Sequence, residues 1–385
     1  MKIFVIAGEP SGDKLGAALM QGFHTLLGDQ VTFQGIGGPL MTETGLNSLF
    51  PMDEISIMGI SEILSQYRFL KRRIRDTAEA IIAAQPDVLI TIDLPEFSLR
   101  VARLVKAGSN IRCVHYVAPT VWAWRPGRAE KMARDIDHVL ALFPFEPPYM
   151  QAAGMACDFV GHPVVTDVQA SPAEAEEFRA SQGLGDAPLA LVLPGSRRGE
   201  VARLAPIFGE VVARLHAVTP ELQFVLPAAG PVADAVRTHV TNWAVKPLII
   251  DPSDRAMKRA AFAAADVAIA ASGTVSLELA AANTPMVIAY DMNWLSRQII
   301  GRMLRTDTVT LVNLVSETRV VPEFIGANCQ PEKIAAAVLD VLAKPDAQRA
   351  AMASTMQRLG QGQDAPGLRA ARAVLDGLAQ GTTRH

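Results

Sequence analysis

Two carboxylates stand where an apolar run breaks into a helical pattern. In "FVIAGEPSGDKLG" (4–16) the run Phe4 to Ala7 stops at Gly8, and Glu9 follows. In "LITIDLPEFSLRV" (89–101) the run ends at Asp93, Leu94-Pro95 forces an exit, and Glu96 comes next. A carboxylate at a strand's C-terminal end in a layered α/β sheet lies on the edge where ligands bind, and half-burial there suits a general base. Asp93 is the first candidate for that role and Glu9 the second. Each also has a plainer alternative as a helix cap. Gly8, Gly12 and Gly16 are spaced by four, not as G-x-G-x-x-G, so the first turn is not expected to cradle a pyrophosphate.

A second pair of turns has the opposite chemistry. In "LVLPGSRRGEV" (191–201) Gly195 permits a tight turn, Ser196 is a candidate cap whose helix turns free N–H groups toward an anion, and Arg197 adds a planar cation suited to phosphate. In "AIAASGTVSLELAAANTPMVI" (268–288) the turn is Ser272-Gly273-Thr274, and Glu278 lies one helical turn deeper on the same face, placed to accept from sugar hydroxyls. Each turn alone has a bland reading, a surface arginine in one case and a capped amphipathic helix in the other. Two anion-ready turns in one half of the chain point to a diphosphate-bearing ligand.

Other stretches carry less specific chemistry. "HYVAPTVWAWRPGRAEKMARDIDHVLALFPFE" (115–146) places Trp122 and Trp124 before Arg125, Pro126 and Arg128. Such a loop can take sugar faces or anionic groups, or act as a hydrophobic lid. The "DID" at 135–137 precedes a strand rather than following one, and His115 and His162 read as single structural histidines in turn regions, so no metal is expected. Residues 55–76 combine an apolar stretch with Leu64, Tyr67, Leu70 and Ile74 at helical spacing, interleaved with Arg68, Lys71, Arg72, Arg73 and Arg75. That pattern suits an anionic membrane surface, each cation adding about 1 kcal/mol there, or a solvated outer helix.

These side chains need a scaffold to hold them. Continuous apolar runs at 3–7, 32–37, 87–93, 111–117, 138–143, 189–194, 222–227, 247–251, 266–271 and 285–290 predict strands covered on both faces, hence parallel. Helical patterns such as 199–217, 254–264 and 331–343 fall between them, as in a doubly wound α/β sheet. The series pauses at "DFVGHPVVTDVQASPAEAEEF", a linker. The fold class is therefore α/β, with two Rossmann-like parallel-sheet domains, 1–164 and 165–345, facing across a cleft, and a helical tail at 346–385. A length of 385 residues fits two domains. A net charge of −3 gives no overall field toward nucleic acid. Three scattered cysteines, Cys113, Cys157 and Cys329, predict a reducing compartment. The opening residues are too weakly apolar for a signal peptide, and no window approaches the ~18 apolar residues of a membrane span. The chain is thus expected in the cytoplasm.

Longer motifs allow a resemblance to be stated. "AGEPSGD" (7–13), "GIGGPLM" (35–41), "IMGISEIL" (57–64), "DLPEF" (93–97), "HYVAPTVWAWRPGR" (115–128), "FPFE" (143–146), "FVGHP" (159–163), "LPGSRRGEV" (193–201), "ASGTVSLE" (271–278), "LVNL" (311–314) and "VPEF" (321–324) run nearly end to end. The chain resembles the lipid-A-disaccharide synthases, glycosyltransferases of GT-B fold. The resemblance implies transfer from UDP-2,3-diacylglucosamine to 2,3-diacylglucosamine 1-phosphate (lipid X). It implies inversion, a β-1′,6 linkage, release of UDP and no cofactor. It makes Asp93 the base for the acceptor 6-hydroxyl, with Glu9 second. Arg197, Ser196 and the Gly273–Thr274 backbone would hold the departing UDP, Glu278 the ribose, and Asn313 would line the donor site. The 55–64 stretch, with Met58 and Ile60, and the cations Arg68 to Arg75 would dock at the cytoplasmic face of the inner membrane. The tail would cross back to the N-terminal half and exchange between two subunits. Three positions depart from the family pattern: Glu96 for Asp, Ser98 for Asn, and Arg319 for a Glu before "VPE". Another UDP-sugar enzyme of the same fold, such as an epimerase or a peptidoglycan-type transferase, and a catalytically silent nucleotide-binding protein remain the alternatives.

Overall fold

The computed structural model describes residues 1–56, 67–122, 127–292 and 306–382, with side chains to residue 380. The chain divides into two compact units: Met1–Thr166 with Gly362–His385, and Asp167–Gln361.

Unit 1 is built on seven strands: β1 (Lys2–Ala7), β2 (Thr32–Ile36), β3 (Leu46–Ser48), β4 (Val88–Ile92), β5 (Arg112–Tyr116), β6 (His138–Ala141) and β7 (Ala156–Phe159). Their order is β3-β2-β1-β4-β5-β6-β7, every pair parallel. The apolar runs are continuous because both faces are covered. Ile3, Val5 and Ala7 face one core with Leu19, Phe23 and Tyr116, while Phe4 and Ile6 face another with Leu89, Phe97 and Val101. Each such Ile, Val, Leu or Phe side chain, fully buried, contributes roughly 1.5–3 kcal/mol. Short β3 escaped the sequence reading because three residues carry no pattern.

Unit 2 repeats the plan with β8 (Leu189–Leu193), β9 (Gln223–Pro227), β10 (Leu248–Ile250), β11 (Val267–Ala271), β12 (Met286–Tyr290) and β13 (Glu323–Ile325), ordered β10-β9-β8-β11-β12-β13 and all parallel. In both units the strand order reverses beside the first strand, between β1 and β4 and between β8 and β11. A crevice opens at such a point at the strands' C-terminal ends, which makes it the default ligand site of an open α/β sheet.

The tail divides later than the sequence suggests. Helix Asp346–Arg358 belongs to unit 2: Gln348 bonds both backbone groups of Met286 (2.8 and 3.0 Å) and Arg358 donates to the Val315 carbonyl (2.9 Å). Only after Gly360 and Gly362, both at positive φ, does helix Pro366–Thr382 join unit 1. It lies against helix Pro10–Leu27 where two glycines meet: a methyl on Gly22 would stand 2.8 Å from the Gly367 carbonyl carbon. Among the described residues no helix is long and apolar enough to cross a membrane.

Candidate active site

At the switch point of unit 1, the turns after β1 and β4 pack on each other. A Cβ on Gly8 would overlap the Leu94 side chain, so the absence of one lets the second turn close over the first. Glu9 is the N-cap residue of helix Pro10–Leu27 by backbone position, yet its side chain makes no capping bond. The cap alternative therefore does not account for its carboxylate. Asp93 is half-buried and lies with Leu94 in the left-handed region, φ 50° and 49°. Val117, just past β5, has φ 86°. Left-handed non-glycine residues cost about 1–3 kcal/mol each and persist only where their surroundings hold them. Here the Asp93 N–H donates to Tyr116 O (3.0 Å) and the Val117 N–H to Leu140 O (3.0 Å). Ser98, buried, donates its hydroxyl to the Asp93 carbonyl at 2.8 Å. The departure from Asn at position 98 thus leaves a side chain that pins the Asp93 turn.

Asp13 was missed by sequence reading. It is buried, and its carboxylate accepts from the N–H groups of Gly38 (2.9 Å), Leu40 (3.0 Å) and Met41 (3.0 Å). It ties "AGEPSGD" to "GIGGPLM", which explains why the two motifs occur together. A short acid followed by a glycine-rich turn was the available cue.

A second acid is hidden beyond β6. Glu146 accepts from the N–H groups of Leu142 (3.1 Å) and Phe143 (3.0 Å), and burial raises its pKa to about 8. Trp122, half-buried, meets Phe145 edge-on at 5.1 Å; its indole N–H is buried beside Glu146 without reaching hydrogen-bond geometry. His115 is not in a turn but inside β5, bonded to Thr91 Oγ1 at 2.7 Å, and burial lowers its pKa to about 4, so it is neutral. His162 packs tilted against the Phe143 ring, with centroids 5.3 Å apart. Both acids of "DID" are ion-paired, Asp135 with Arg103 (3.2 Å) and Asp137 with Lys106 (2.6 Å).

The basic helix Tyr67–Ala84 is amphipathic, with Leu70, Ile74 and Ile81 buried and Arg68, Lys71 and Arg72 exposed. Arg73 is turned the other way. It pairs with Glu54 and lies over the Phe50 ring at 4.4 Å, so it is a packing residue and not part of the exposed face. Met58, Ile60, Trp124 and Arg125 lie outside the described residues.

At the switch point of unit 2, Gly195 has φ 116° and a Cβ there would stand 2.7 Å from Glu200, so only glycine fits. The N-cap of helix Arg198–Val218 is Arg197 rather than Ser196. Glu200 accepts from the N–H groups of Ser196 (3.1 Å) and Arg197 (3.3 Å) and from the Arg197 guanidinium (3.2 Å). The donors expected to face an anion are thus engaged by the chain's own carboxylate. The second turn differs. Gly273 has φ 153°, and a Cβ at that position would meet no described atom within 4 Å. The N–H groups of Gly273 and Thr274 are unengaged among the described residues. Glu278 is paired with Lys258 at 2.7 Å through one oxygen. Asn313 is buried, its amide bonded to both backbone groups of Val321 (2.9 and 3.0 Å) and to Thr308 and Glu323 (3.3 Å each). As placed, it is a strut of the 308–323 segment and does not line an open site. Arg319 grips Asp307 with two bonds, 2.8 and 2.6 Å.

Comparison with known proteins bears on the fold and the family. Two UDP-GlcNAc 2-epimerase structures share the fold: one from Neisseria meningitidis bound to UDP-GlcNAc (TM-score 0.60, 11% identity, covering 99% of this chain and all of that one). The other, from Methanocaldococcus jannaschii, is in complex with UDP-GlcNAc and UDP (TM-score 0.60, 15% identity, covering 98% and 99%). At such identity they show the fold alone. Sequence relatives reach further. The lipid-A-disaccharide synthase of Ruegeria pomeroyi is 62% identical over 384 residues, 98% of this chain and 96% of the relative. That of Rhodospirillum centenum is 46% identical over 97% and 94%. A family model described as lipid-A-disaccharide synthetase matches residues 3–374, and the chain belongs to that family.

Proposed function

We propose that the chain joins UDP-2,3-diacylglucosamine to 2,3-diacylglucosamine 1-phosphate (lipid X), forming the β-1′,6-linked disaccharide 1-phosphate and releasing UDP. Family membership makes it a UDP-sugar-dependent glycosyltransferase of lipid A disaccharide synthesis. The finer reading rests on one observation: each sheet carries a different chemistry at its switch point, carboxylates in unit 1 and glycine turns with an arginine in unit 2. Asp93 takes the proton of the acceptor 6-hydroxyl, with Glu9 the second candidate. The O6–C1′ bond forms as the C1′–O bond to UDP breaks, in one displacement that inverts the anomeric centre. The electron pair leaves on the diphosphate, which Arg197, Ser196 and the Gly273–Thr274 amides stabilise. One such donor is typically worth ~10²–10³ in rate. Glu278 keeps one oxygen for the ribose hydroxyls while Lys258 holds the other.

Arg68, Lys71 and Arg72, beside exposed Tyr67 and Phe69, attach the enzyme reversibly to the inner membrane's cytoplasmic face. Exchange of helix Pro366–Thr382 between two copies gives a homodimer; a monomeric mass in solution removes that part. The central test is transfer assayed with purified protein, both lipids and detergent. Disaccharide and UDP in equal amounts support the reading. Binding of UDP without any disaccharide returns the protein to a silent nucleotide binder.

A further inference from the structure

Three helices of unit 1 carry a cationic face that is only partly visible in sequence. Arg100 and Arg103 stand on helix Pro95–Gly108, between helix Tyr67–Ala84 and helix Gly127–Met132. They are shared by two adjoining grooves. One, of about 760 Å³, is lined also by Arg68, Lys71, Arg72 and Arg75, with no acid in its lining. The other, of about 620 Å³, is lined also by Arg128 and Lys131 and by Pro95 and Glu96, which directly follow the Asp93–Leu94 turn. In a chain of net charge −3 this is a local concentration. The second groove also contains two acids, and each is already committed to a partner. Glu96 pairs with Arg100 at 3.0 Å and Asp135 with Arg103 at 3.2 Å, which biases the directions of both guanidiniums. Arg128 and Lys131 carry no ion pair among the described residues.

Building on the acceptor role given above to Asp93, we propose that this second groove is the seat of the acceptor's phosphate monoester. Arg100 and Arg103 offer pre-oriented planar donors, and Arg128 and Lys131 supply the uncompensated charge that a dianion requires. At 1.5 Å per residue, Arg100 lies roughly 7.5 Å along the helix from Pro95 and Arg103 roughly 12 Å. One sugar phosphate can therefore run from the Asp93 turn into the groove. All four cations stand on helices, which hold a recognition site more firmly than loops do. The adjoining groove extends the positive field and raises the capture rate of an anionic lipid.

The test uses the full chain in detergent micelles with one donor, UDP-2,3-diacylglucosamine, and two acceptors: 2,3-diacylglucosamine 1-phosphate and the same lipid without its phosphate. The wild type is expected to favour the phosphorylated acceptor by roughly tenfold or more in kcat/KM, as charged hydrogen bonds to the phosphate imply. Arg128→Gln with Lys131→Gln, and separately Arg103→Gln, should bring the two acceptors to within about threefold of each other. UDP affinity serves as the control for folding. Arg103→Lys, which keeps the charge and loses the fork, should fall between. Equal losses on both acceptors, or a preference retained in the variants, overturns the proposal. So does retained preference with lost binding to phosphatidylglycerol vesicles, which makes the groove a bilayer seat. A wild type that uses both acceptors equally refutes the phosphate seat alone, whereas one that uses neither refutes the transferase reading as well.

Discussion

The two sheets share a topology and differ in how their functional edges turn. In unit 1 the left-handed positions at the ends of β4 and β5 are filled by Asp93, Leu94 and Val117, residues with side chains. In unit 2 the position after β11, the counterpart of β4, is Gly273, and the turn after β8, the counterpart of β1, bends at Gly195. If Asp93 is the proton acceptor proposed above, its carboxylate has to stand at the strand end, and a side chain is kept there at a conformational cost. A phosphate is held by backbone N–H groups, and its close approach needs a Cβ to be absent. At the β4 and β11 counterparts the left-handed bend is made by residues with side chains in one unit and by glycine in the other.

Asp93→Asn tests that contrast most strongly. Asn tolerates the left-handed region as Asp does, so the turn survives while the base is lost. Transfer is expected to fall by ~10²–10⁴, with UDP affinity unchanged. Retained turnover moves the proton to Glu9, and Glu9→Gln then becomes the damaging change. Asp93→Gly should lose the same activity while raising stability by about 1 kcal/mol through relief of strain.

The pH response should also separate the units. The unfolded chain releases the Glu146 proton near 4.5, whereas burial makes the folded chain keep it to about 8. Between those values the folded state binds more protons, so stability falls as pH rises, by at most about 1.4 kcal/mol per unit. His115 works in the opposite sense. It is unprotonated down to about 4 when folded but charges near 6.5 when unfolded, so stability is lost as pH drops through that range. The two oppose each other below 6.5, and Glu146 acts alone from there to 8. In unit 2 the Asp251 and Asp307 carboxyls are held down by hydrogen bonds and the Tyr290 phenol is pushed up by burial, all away from this range. Calorimetry from pH 6.5 to pH 8 should show unit 1's transition falling and unit 2's holding. Glu146→Gln should flatten unit 1's response; an unaltered slope assigns it to another group.

The strands were legible because a parallel sheet covered on both faces leaves continuous apolar runs, and ten of them stand out in sequence. β3, β7 and β13 were not among them, since their three or four residues carry no continuous apolar run; β10, also three residues, was read from its flanking apolar residues. Asp93, Gly195 and Gly273 were legible because each sits where such a run ends. The partners that decide how those residues act were not. Glu200 lies only three residues beyond Arg197, yet no pattern tells a carboxylate that folds back on the turn from one that faces solvent. Arg73 has the same spacing as its exposed neighbours, and only Glu54 and Phe50 turn it inward. The family resemblance makes Asn313 a donor-site amide, yet Val321 takes both its ends.

The glycines offer a smaller effect with a clearer separation. A methyl from Gly273→Ala meets no atom of the described residues within 4 Å, so on the proposed function its first collision is with UDP. UDP affinity is expected to weaken roughly tenfold, with a stability loss of about 1 kcal/mol from the positive φ. Gly195→Ala runs into Glu200 and is expected to destabilise unit 2 more than it weakens UDP binding. Isothermal titration with UDP and melting curves on both variants check the order. If Gly273→Ala binds UDP as the wild type does, the phosphates lie elsewhere than on this turn.

Glu200 decides how the two turns of unit 2 divide the diphosphate. Its carboxylate occupies the Ser196 and Arg197 amides and pairs with the Arg197 guanidinium, while the Gly273 and Thr274 amides are unengaged among the described residues. A phosphate that uses the first turn has to displace Glu200. In that case Glu200→Ala should tighten UDP about three- to tenfold, the gain of one or two hydrogen bonds no longer contested. It should also cost helix Arg198–Val218 about 0.5–1 kcal/mol through the lost first-turn acid. Glu200→Gln, which drops the charge and keeps the acceptor oxygen, should give a smaller gain. Affinity that is unchanged or weaker in Glu200→Ala means that UDP leaves these amides to the protein. The Gly273–Thr274 turn then holds the phosphates alone, and Arg197 contributes only if its guanidinium reaches the ligand from beside Glu200.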